Sequence, residues 1–283
     1  MSGSFISDGT LKYISVLPAL RSLNLSQCGR SDISTLGSAV QLSELNLSNN
    51  GIQDISPLAG LYNLKILNLE NNVVTSLDYL SDLTGLQELN VAKNNLSSLS
   101  ALKGFDELTK LVVDGNQIMD AEVLSTMQNL EYFTAADNMI PSANALTGCT
   151  KMKHLDLSRN CLTHINAISR MPDLEYLDIS YNAIKAIPSM PEESQLQYFY
   201  ASYNQITSIK QLSRLSLLAF VDVDYNEDLK DIACLSSCKT LVKVDAFGTK
   251  VKDIDELLEM DVIVHYDPSS VLEDDEETSE GQD

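Results

Sequence analysis

The chain of 283 residues contains no tryptophan, and aromatic residues make up only 6% of it. A conventional globular core is therefore not favoured, because large rings usually supply much of its buried area. Basic residues are also scarce, since 19 Lys and Arg stand against 40 Asp and Glu and give a formal net charge of −21. This balance argues against binding nucleic acid through its phosphates and against docking on an anionic membrane. We expect instead a protein partner with a basic or mixed-charge surface.

Signals for export and for membrane insertion are missing as well. The sequence has no run of 18 apolar residues, and residues 1–13 lack the basic start and apolar stretch of a signal peptide. The five cysteines are an odd number without paired spacing, which is typical of a reducing compartment. We therefore expect a cytoplasmic protein. The alternative is a cell-surface or secreted protein whose signal lies upstream of this sequence.

What the sequence does contain is a repeat. The segment LSELNLSNN at 42–50 recurs as LKILNLENN at 64–72. Eleven repeats start near residues 20, 42, 64, 86, 108, 130, 152, 174, 196, 218 and 241. Position 9 is Asn in nine of them, and Cys28 and Thr249 replace it in the first and the last. We expect a polar side chain there because the backbone turns out of its strand and leaves amides and carbonyls that a column of Asn can satisfy.

The pattern L-x-x-L-x-L-x-x-N resembles that of leucine-rich repeats, over about residues 11–266. The resemblance implies an α/β repeat solenoid, a horseshoe with a parallel sheet on its concave side. The 22-residue length is similar to the subfamily that includes a leucine-rich regulator of a protein phosphatase and the bacterial internalins. Apolar residues in the second half of each repeat recur every three positions, as at Ile52, Ile55 and Leu58, and again at Ile184, Ile187 and Met190. This spacing predicts short 3₁₀ turns on the convex side.

Both ends of the repeat domain, 20–266, need covering. Residues 1–19 are expected to form a partial N-terminal repeat, since Leu11, Ile14 and Leu17 keep the spacing of three and no capping helix precedes them. Segment 250–266 is predicted to form the C-terminal cap.

That cap is predicted to consist of a short helix within Lys252 to Met260, with Asp253 as its N-cap, followed by a last strand at 262–266. Residues 267–283 are predicted to be a disordered acidic tail, because the last eleven residues hold seven acids.

The sheet face divides into two halves. Strand alternation predicts that positions 3, 5 and 7 point to solvent and that positions 4 and 6 are buried, with position 8 at the strand end. Repeats 1–4 carry Asn at position 5, as Asn24, Asn46, Asn68 and Asn90, whereas later repeats are rich in Tyr and Asp. Tyr and Phe offer a large contact area at low entropic cost, and aspartates select Lys or Arg on a partner.

We therefore predict that a partner binds on the concave face of repeats 6–11. The predicted contact residues are Tyr132, His154, Asp156, Tyr176, Asp178, Tyr181, Tyr198, Tyr200, Tyr203, Phe220, Asp222, Asp224, Tyr225, Asp245 and Phe247. The alternative is that these aromatics only stabilise the sheet by stacking between neighbouring strands.

Patterns that indicate an enzyme are absent from the sequence. There is no phosphate-binding glycine loop, no zinc-protease motif and no serine-hydrolase motif. Cys234 and Cys238 lack the second Cys or His pair of a zinc site, and no nucleophile accompanies His154 and Asp156. We predict a monomeric, non-catalytic interaction scaffold without metal or cofactor. The resemblance leaves two alternatives, an internalin-like adhesion module and a phosphatase regulatory subunit, although the tryptophans of that regulator are absent here.

Overall fold

The computed structural model describes residues 3, 7–252 and 254–267. The chain forms two compact units, Met1–Met152 and Lys153–Asp283, which are described in turn. In both, short parallel strands alternate along the chain with 3₁₀ turns. This confirms the repeat solenoid that the periodicity predicts.

The first unit begins with helix α1 (Asp8–Ser15). Its described part contains six strands, β1 (Ser22–Asn24), β2 (Glu44–Asn46), β3 (Ile66–Asn68), β4 (Glu88–Asn90), β5 (Lys110–Val112) and β6 (Tyr132–Thr134). Neighbouring strands pair in parallel with residues 22 apart, as Leu45 with Leu67. The 3₁₀ turns are Ser34–Ser38, Ser56–Leu58, Asp78–Leu80, Ser100–Leu102, Glu122–Thr126 and Asn144–Gly148.

The second unit has the same organisation. Its described part contains strands β7 (His154–Asp156), β8 (Tyr176–Asp178), β9 (Tyr198–Tyr200), β10 (Phe220–Asp222), β11 (Lys243–Ala246) and β12 (Ile263–Tyr266), with helix α2 (Asp255–Leu258) before the last strand. Its 3₁₀ turns are Asn166–Arg170, Lys210–Arg214 and Ala233–Ser237.

One predicted 3₁₀ turn is wrong. The stretch between β8 and β9, which carries Ile184, Ile187 and Met190, has no 3₁₀ turn. Two prolines, Pro188 and Pro191, explain the difference. Pro191 lacks the N–H that the corresponding Ala59 donates at the end of the turn Ser56–Leu58, and Pro188 pushes Ile187 towards an extended backbone.

The buried columns follow the repeat. Leucines and isoleucines at the periodic positions are almost completely buried throughout both units. Where Phe133 and Phe199 take the fourth position, Ala135 and Ala201 stand two residues later, and all four are fully buried. A larger ring beside a smaller neighbour keeps the volume of the layer nearly constant, which is what a close-packed core tolerates best.

The asparagine at position 9 joins each repeat to the one before it. The Asn204 side chain donates to the carbonyls of Ala201 in its own repeat at 3.1 Å and of Ile179 in the preceding repeat at 2.9 Å. Its Oδ1 accepts from the backbone N–H of Ile184 at 2.9 Å. Asn72, Asn94 and Asn116 make the same set of bonds in the first unit. We call this column the asparagine ladder.

The N-terminal segment differs from the expected partial repeat without a capping helix. Leu11 and Ile14 are buried, but they lie on the α-helix α1, and Leu17 after it is 50% exposed. Ser7 caps the helix by accepting from the N–H of Thr10, and a spacing of three fits one face of an α-helix as well as a 3₁₀ turn. The helix therefore covers the end of the first unit.

At the C-terminus, β12 pairs in parallel with β11, as the predicted last strand requires. Helix α2 is shorter than the predicted one and starts after Ile254, which has no side-chain cap. The predicted cap Asp253 and residues 268–283 of the predicted tail lie outside the described residues.

We expect Asn204→Ala to lower the free energy of unfolding by about 2–4 kcal/mol, because buried backbone groups of two repeats lose their partner. Urea denaturation followed by circular dichroism measures the change. Asn166→Ala is the control, since that side chain is exposed, and its effect should stay within about 0.5 kcal/mol. Equal losses in the two variants would contradict the structural role of the ladder.

Candidate functional site

The sheet face of the second unit brings most of the predicted site residues together. Residues at the starts of β7 to β10 lie in register, so that Tyr176 is next to His154 and to Tyr198, and Tyr198 is next to Phe220. The strand ends align in the same way and place Asp178 beside Asp156 and Tyr200, followed by Asp222 and Asp245.

Tyr132 belongs to the first unit, on β6. Its ring lies under Lys110, whose Nζ is 4.8 Å from the ring centroid. Because this cation comes from the neighbouring strand β5, the contact joins two strands of the first unit.

Four rings at the starts of the strands and Tyr200 at the end of β9 form an inner aromatic cluster of His154, Tyr176, Tyr198, Tyr200 and Phe220. His154 stacks on Tyr176 with ring centroids 4.2 Å apart. Tyr176 also contacts Tyr198 at 6.5 Å and Tyr200 at 5.3 Å, and Tyr200 contacts Phe220 at 5.0 Å. Tyr200 stands where neighbouring repeats carry Asp, and it thereby connects the rings on both sides of β9.

A second row of rings, the edge row, follows the ends of the strands and consists of Tyr181, Tyr203, Tyr225 and Phe247. Successive centroids are 4.3, 4.3 and 5.8 Å apart. The Arg159 guanidinium lies 4.0 Å above the ring of Tyr181.

The backbone of the edge row adopts a conformation that tyrosine disfavours. Tyr181, Tyr203 and Tyr225 have φ of 56°, 53° and 53°. The corresponding position in the first unit holds residues such as Asn49 and Gly115, which tolerate this left-handed region. Three tyrosines therefore persist at a conformational cost, which their stacking offsets within the sheet.

The aspartates lie between the inner cluster and the edge row, and each has a structural hydrogen bond. Oδ1 of Asp156, Asp178 and Asp222 accepts the backbone N–H two residues later, at 2.9, 2.8 and 3.0 Å. In the first unit the amide oxygens of Asn24, Asn46, Asn68 and Asn90 make the same bond at 2.8–3.0 Å. Asn and Asp make the same bond at this position, and Val112 occupies it without any side-chain acceptor. The fold therefore does not require a negative charge there.

The charge has an energetic cost. Burial first, and then the neighbouring carboxylates Asp156 and Asp222, raise the pKa of Asp178 to about 6. Burial also raises the pKa values of Asp222 and Asp224. Asp228 and Asp245 form ion pairs, whereas Asp178 and Asp222 form none with a described residue of this unit.

Position 7 does not follow the predicted alternation. Ser180 and Ser202 are only 6% and 7% exposed, and Ser26 and Ser48 are buried in the same way. The strands end at position 5, so the chain is already turning at position 7. The side chain at position 5 accepts the backbone N–H of position 7 and therefore lies beside it. Among the predicted site residues at this position, Phe247 stays 45% exposed, and Asp224 is half-buried and accepts from the N–H of Phe247.

Three basic residues were missed from the sequence. Lys243 lies 5.2 Å from the Phe220 ring centroid, and its Nζ is 2.8 Å from Oδ2 of Asp245. His265 on β12 contacts Oδ1 of the same aspartate at 2.7 Å. Arg159 lies over Tyr181, the first ring of the edge row. Two of them lie in the same columns as the aromatic residues and could have been found from the sequence. Lys243 is at position 3 of the last repeat, and Arg159 is at position 8 of the seventh repeat.

The part of the chain that the structure describes holds no cluster of three His, Cys, Asp or Glu side chains suited to a metal ion. Burial raises the pKa of the Cys149 thiol to about 12 and that of the Cys234 thiol to about 11, so these thiols stay protonated at neutral pH. The described face thus offers rings, carboxylates and a few cations, a set of groups suited to binding.

Comparison with known proteins agrees with this architecture. A leucine-rich-repeat model matches residues 140–184, and a model of two such repeats matches residues 40–85. No curated protein matches the sequence. Solved structures include an internalin of Listeria monocytogenes, 24% identical, with a TM-score of 0.77, covering 94% of this chain and 85% of the internalin.

Two further structures are similar. A leucine-rich-repeat protein of Leptospira interrogans is 19% identical with a TM-score of 0.68, covering 92% of this chain and 80% of that one. The leucine-rich-repeat ectodomain of the Arabidopsis thaliana receptor kinase GASSHO1/SCHENGEN3, in complex with CASPARIAN STRIP INTEGRITY FACTOR 2, is 21% identical with a TM-score of 0.78. The match covers 90% of this chain and 33% of that one. The chain therefore has a leucine-rich-repeat fold.

A membrane-spanning helix is not found among the described residues, whose helices are all too short or too polar to cross a bilayer.

We expect Asp178→Asn to stabilise the protein by about 1–2 kcal/mol at pH 8, because the amide keeps the bond to Ser180 and removes a poorly solvated charge. The folded-state pKa is raised from 3.8 to about 6, so this aspartate favours folding below pH 4 and loses that contribution as the pH rises through 6. Urea denaturation between pH 4 and 8 measures the difference, which should shrink towards acidic pH.

Asp178→Ala is the matched control. It removes the acceptor along with the charge, and we expect it to fall below Asp178→Asn in stability at every pH. A variant Asp178→Asn that is less stable than the wild type at pH 8 would show that the fold does need the charge.

Proposed function

We propose that the chain is a non-catalytic protein-binding module whose sheet face in the second unit receives a partner with basic side chains. One observation carries this proposal: aspartates occupy positions where a neutral asparagine makes the same hydrogen bond, although burial disfavours their charge. A costly charge without a structural need is typical of a residue kept for binding.

The exposed rings support the same surface. Tyr198 and Tyr203 are 43% and 41% exposed even though each also contacts a neighbouring ring. Lateral stacking accounts for the contacts but leaves large apolar areas facing solvent. Binding hot spots typically combine exposed tyrosines with partly desolvated charges, and this face has both.

The overall charge favours a basic partner. Because its net charge is −21, the chain attracts cationic surfaces and repels acidic ones over distances of about one Debye length. The receptor ectodomain with the same fold was solved with a bound factor, which supports a binding role by analogy of fold.

A cytoplasmic location and a monomeric state belong to the proposal. All five cysteines lie in the described part of the chain and form no disulfide there, which suits a reducing compartment. Cell fractionation tests the location, and recovery at the cell surface would favour the adhesion module instead.

The combined variant Tyr176→Ala, Tyr198→Ala and Phe220→Ala should lose the partner. We expect affinity capture from the source cells to recover a protein with wild-type chain as bait, and the variant to weaken its binding by tenfold or more, about 1.4 kcal/mol. Titration calorimetry with the purified partner measures the loss, and raised salt should weaken the wild-type interaction.

Tyr62→Ala with Tyr79→Ala serves as the control, since both rings are exposed on the first unit away from its strands. Thermal unfolding verifies that every variant is folded. If the folded triple variant retains the partner with unchanged affinity, the inner aromatic cluster serves only to stabilise the sheet.

A further inference from the structure

The structure carries a more specific inference about the chemistry of the partner. We propose that the face selects an arginine, whose guanidinium lies over the ring of Tyr200 between the carboxylates of Asp178 and Asp222. The inference rests on the proposed function and names the side chain that the site receives.

The register of three strands creates a gap between the carboxylates of Asp178 and Asp222. Asp178 on β8 is paired with Tyr200 on β9, and Tyr200 is paired with Asp222 on β10. Neighbouring strands are about 4.8 Å apart, so the two aspartates are separated by roughly 10 Å with the tyrosine between them. Two charge-assisted hydrogen bonds of about 2.8 Å and the width of a guanidinium fill that distance.

Both carboxylates retain acceptor capacity. Each uses Oδ1 for a backbone N–H, from Ser180 and from Asp224 respectively, and Asp222 also accepts from the side chain of Ser202. A carboxylate offers about four acceptor sites in total, so each keeps at least one for an incoming N–H.

The ring provides a platform. Tyr200 is half-buried and fixed by Tyr176 at 5.3 Å and Phe220 at 5.0 Å. A fixed aromatic ring attracts a cation within about 6 Å of its centroid, more strongly when water is excluded. Repeats 3 and 4 show the contrast, since their neutral Asn68 and Asn90 are paired side by side with no ring between them.

The same face already holds cations in this way. Lys243 combines a ring contact to Phe220 with an ion pair to Asp245, and Arg159 lies over Tyr181. Lys243 shows that a ring and a carboxylate together hold a cation on this sheet, and Arg159 shows that a tyrosine ring of this sheet accepts a guanidinium. Between Asp178 and Asp222 the protein supplies both elements. Lys243 lies close enough for its charge to act on Asp222, but its ion pair is with Asp245, and no described Lys or Arg forms an ion pair with Asp178 or Asp222.

Arginine fits this gap better than lysine. Its guanidinium is planar, stacks on an aromatic face and presents N–H groups on opposite edges, so it can bind both carboxylates at once. A lysine ammonium is compact and strongly hydrated, and it reaches one carboxylate at a time.

A display library of short random peptides, selected on the full chain, tests the inference. Only peptides that bind the wild type but not the double variant Tyr198→Ala with Phe220→Ala are kept. We expect these peptides to have an arginine in common. Synthetic peptides then carry arginine, lysine or the neutral isostere citrulline at that position. We expect calorimetry to give an affinity about tenfold lower for lysine and about 30-fold lower for citrulline.

The double variant Asp178→Asn with Asp222→Asn should remove the preference, so that the arginine and citrulline peptides bind equally. It keeps both structural acceptors and therefore the fold. Asp82→Asn with Asp106→Asn, two exposed residues of the first unit, changes the net charge equally and should leave the preference intact.

The outcomes separate the two proposals. Face-dependent peptides that lack a shared arginine, accept lysine equally well, or keep the citrulline penalty in Asp178→Asn with Asp222→Asn would overturn the arginine site alone. A selection that yields no peptide dependent on Tyr198 and Phe220 would overturn the proposed function of this face as well.

Discussion

The bonds of the asparagine ladder are the interaction on which the rest of the structure depends. Each buried Asn satisfies carbonyls of two successive repeats and accepts an N–H from the earlier one. Without it, every turn would leave buried backbone groups unpaired, at about 1–3 kcal/mol for each group. Because the ladder and the apolar columns fix the repeats, the side chains on the sheet face are free to vary.

Position 5 shows how that freedom is used. Asn46 and Asp178 both accept the N–H of position 7 there, with nearly the same geometry, whereas Val112 at the same position offers no acceptor. Only the aspartate adds a charge, and burial raises its pKa to about 6. The second unit therefore accepts a loss of stability at neutral pH, and the proposed binding of a basic partner gives this loss a purpose.

The period of 22 residues was sufficient to predict the parallel strands, the buried columns and most of the 3₁₀ turns, because each depends on spacing along the chain. It also placed Tyr198 and Asp222 on one sheet. Helix α1 was missed because a spacing of three suits both helix types, and the burial of Ser180 was missed because alternation was extended beyond the end of the strand. The contact of Tyr200 with Phe220 depends on the orientation of the two rings, which the residue types at each repeat position do not determine.

Site-specific photocrosslinking in the source cells tests most directly whether this face is where a partner binds. A photoreactive phenylalanine analogue replaces Tyr198 in one variant and Tyr79, outside the strands of the first unit, in another. The account predicts that crosslinks from position 198 reach a segment of one protein that contains arginine, and that crosslinks from position 79 do not reach it. Crosslinks to the same protein from both positions, or to none from position 198, would contradict it.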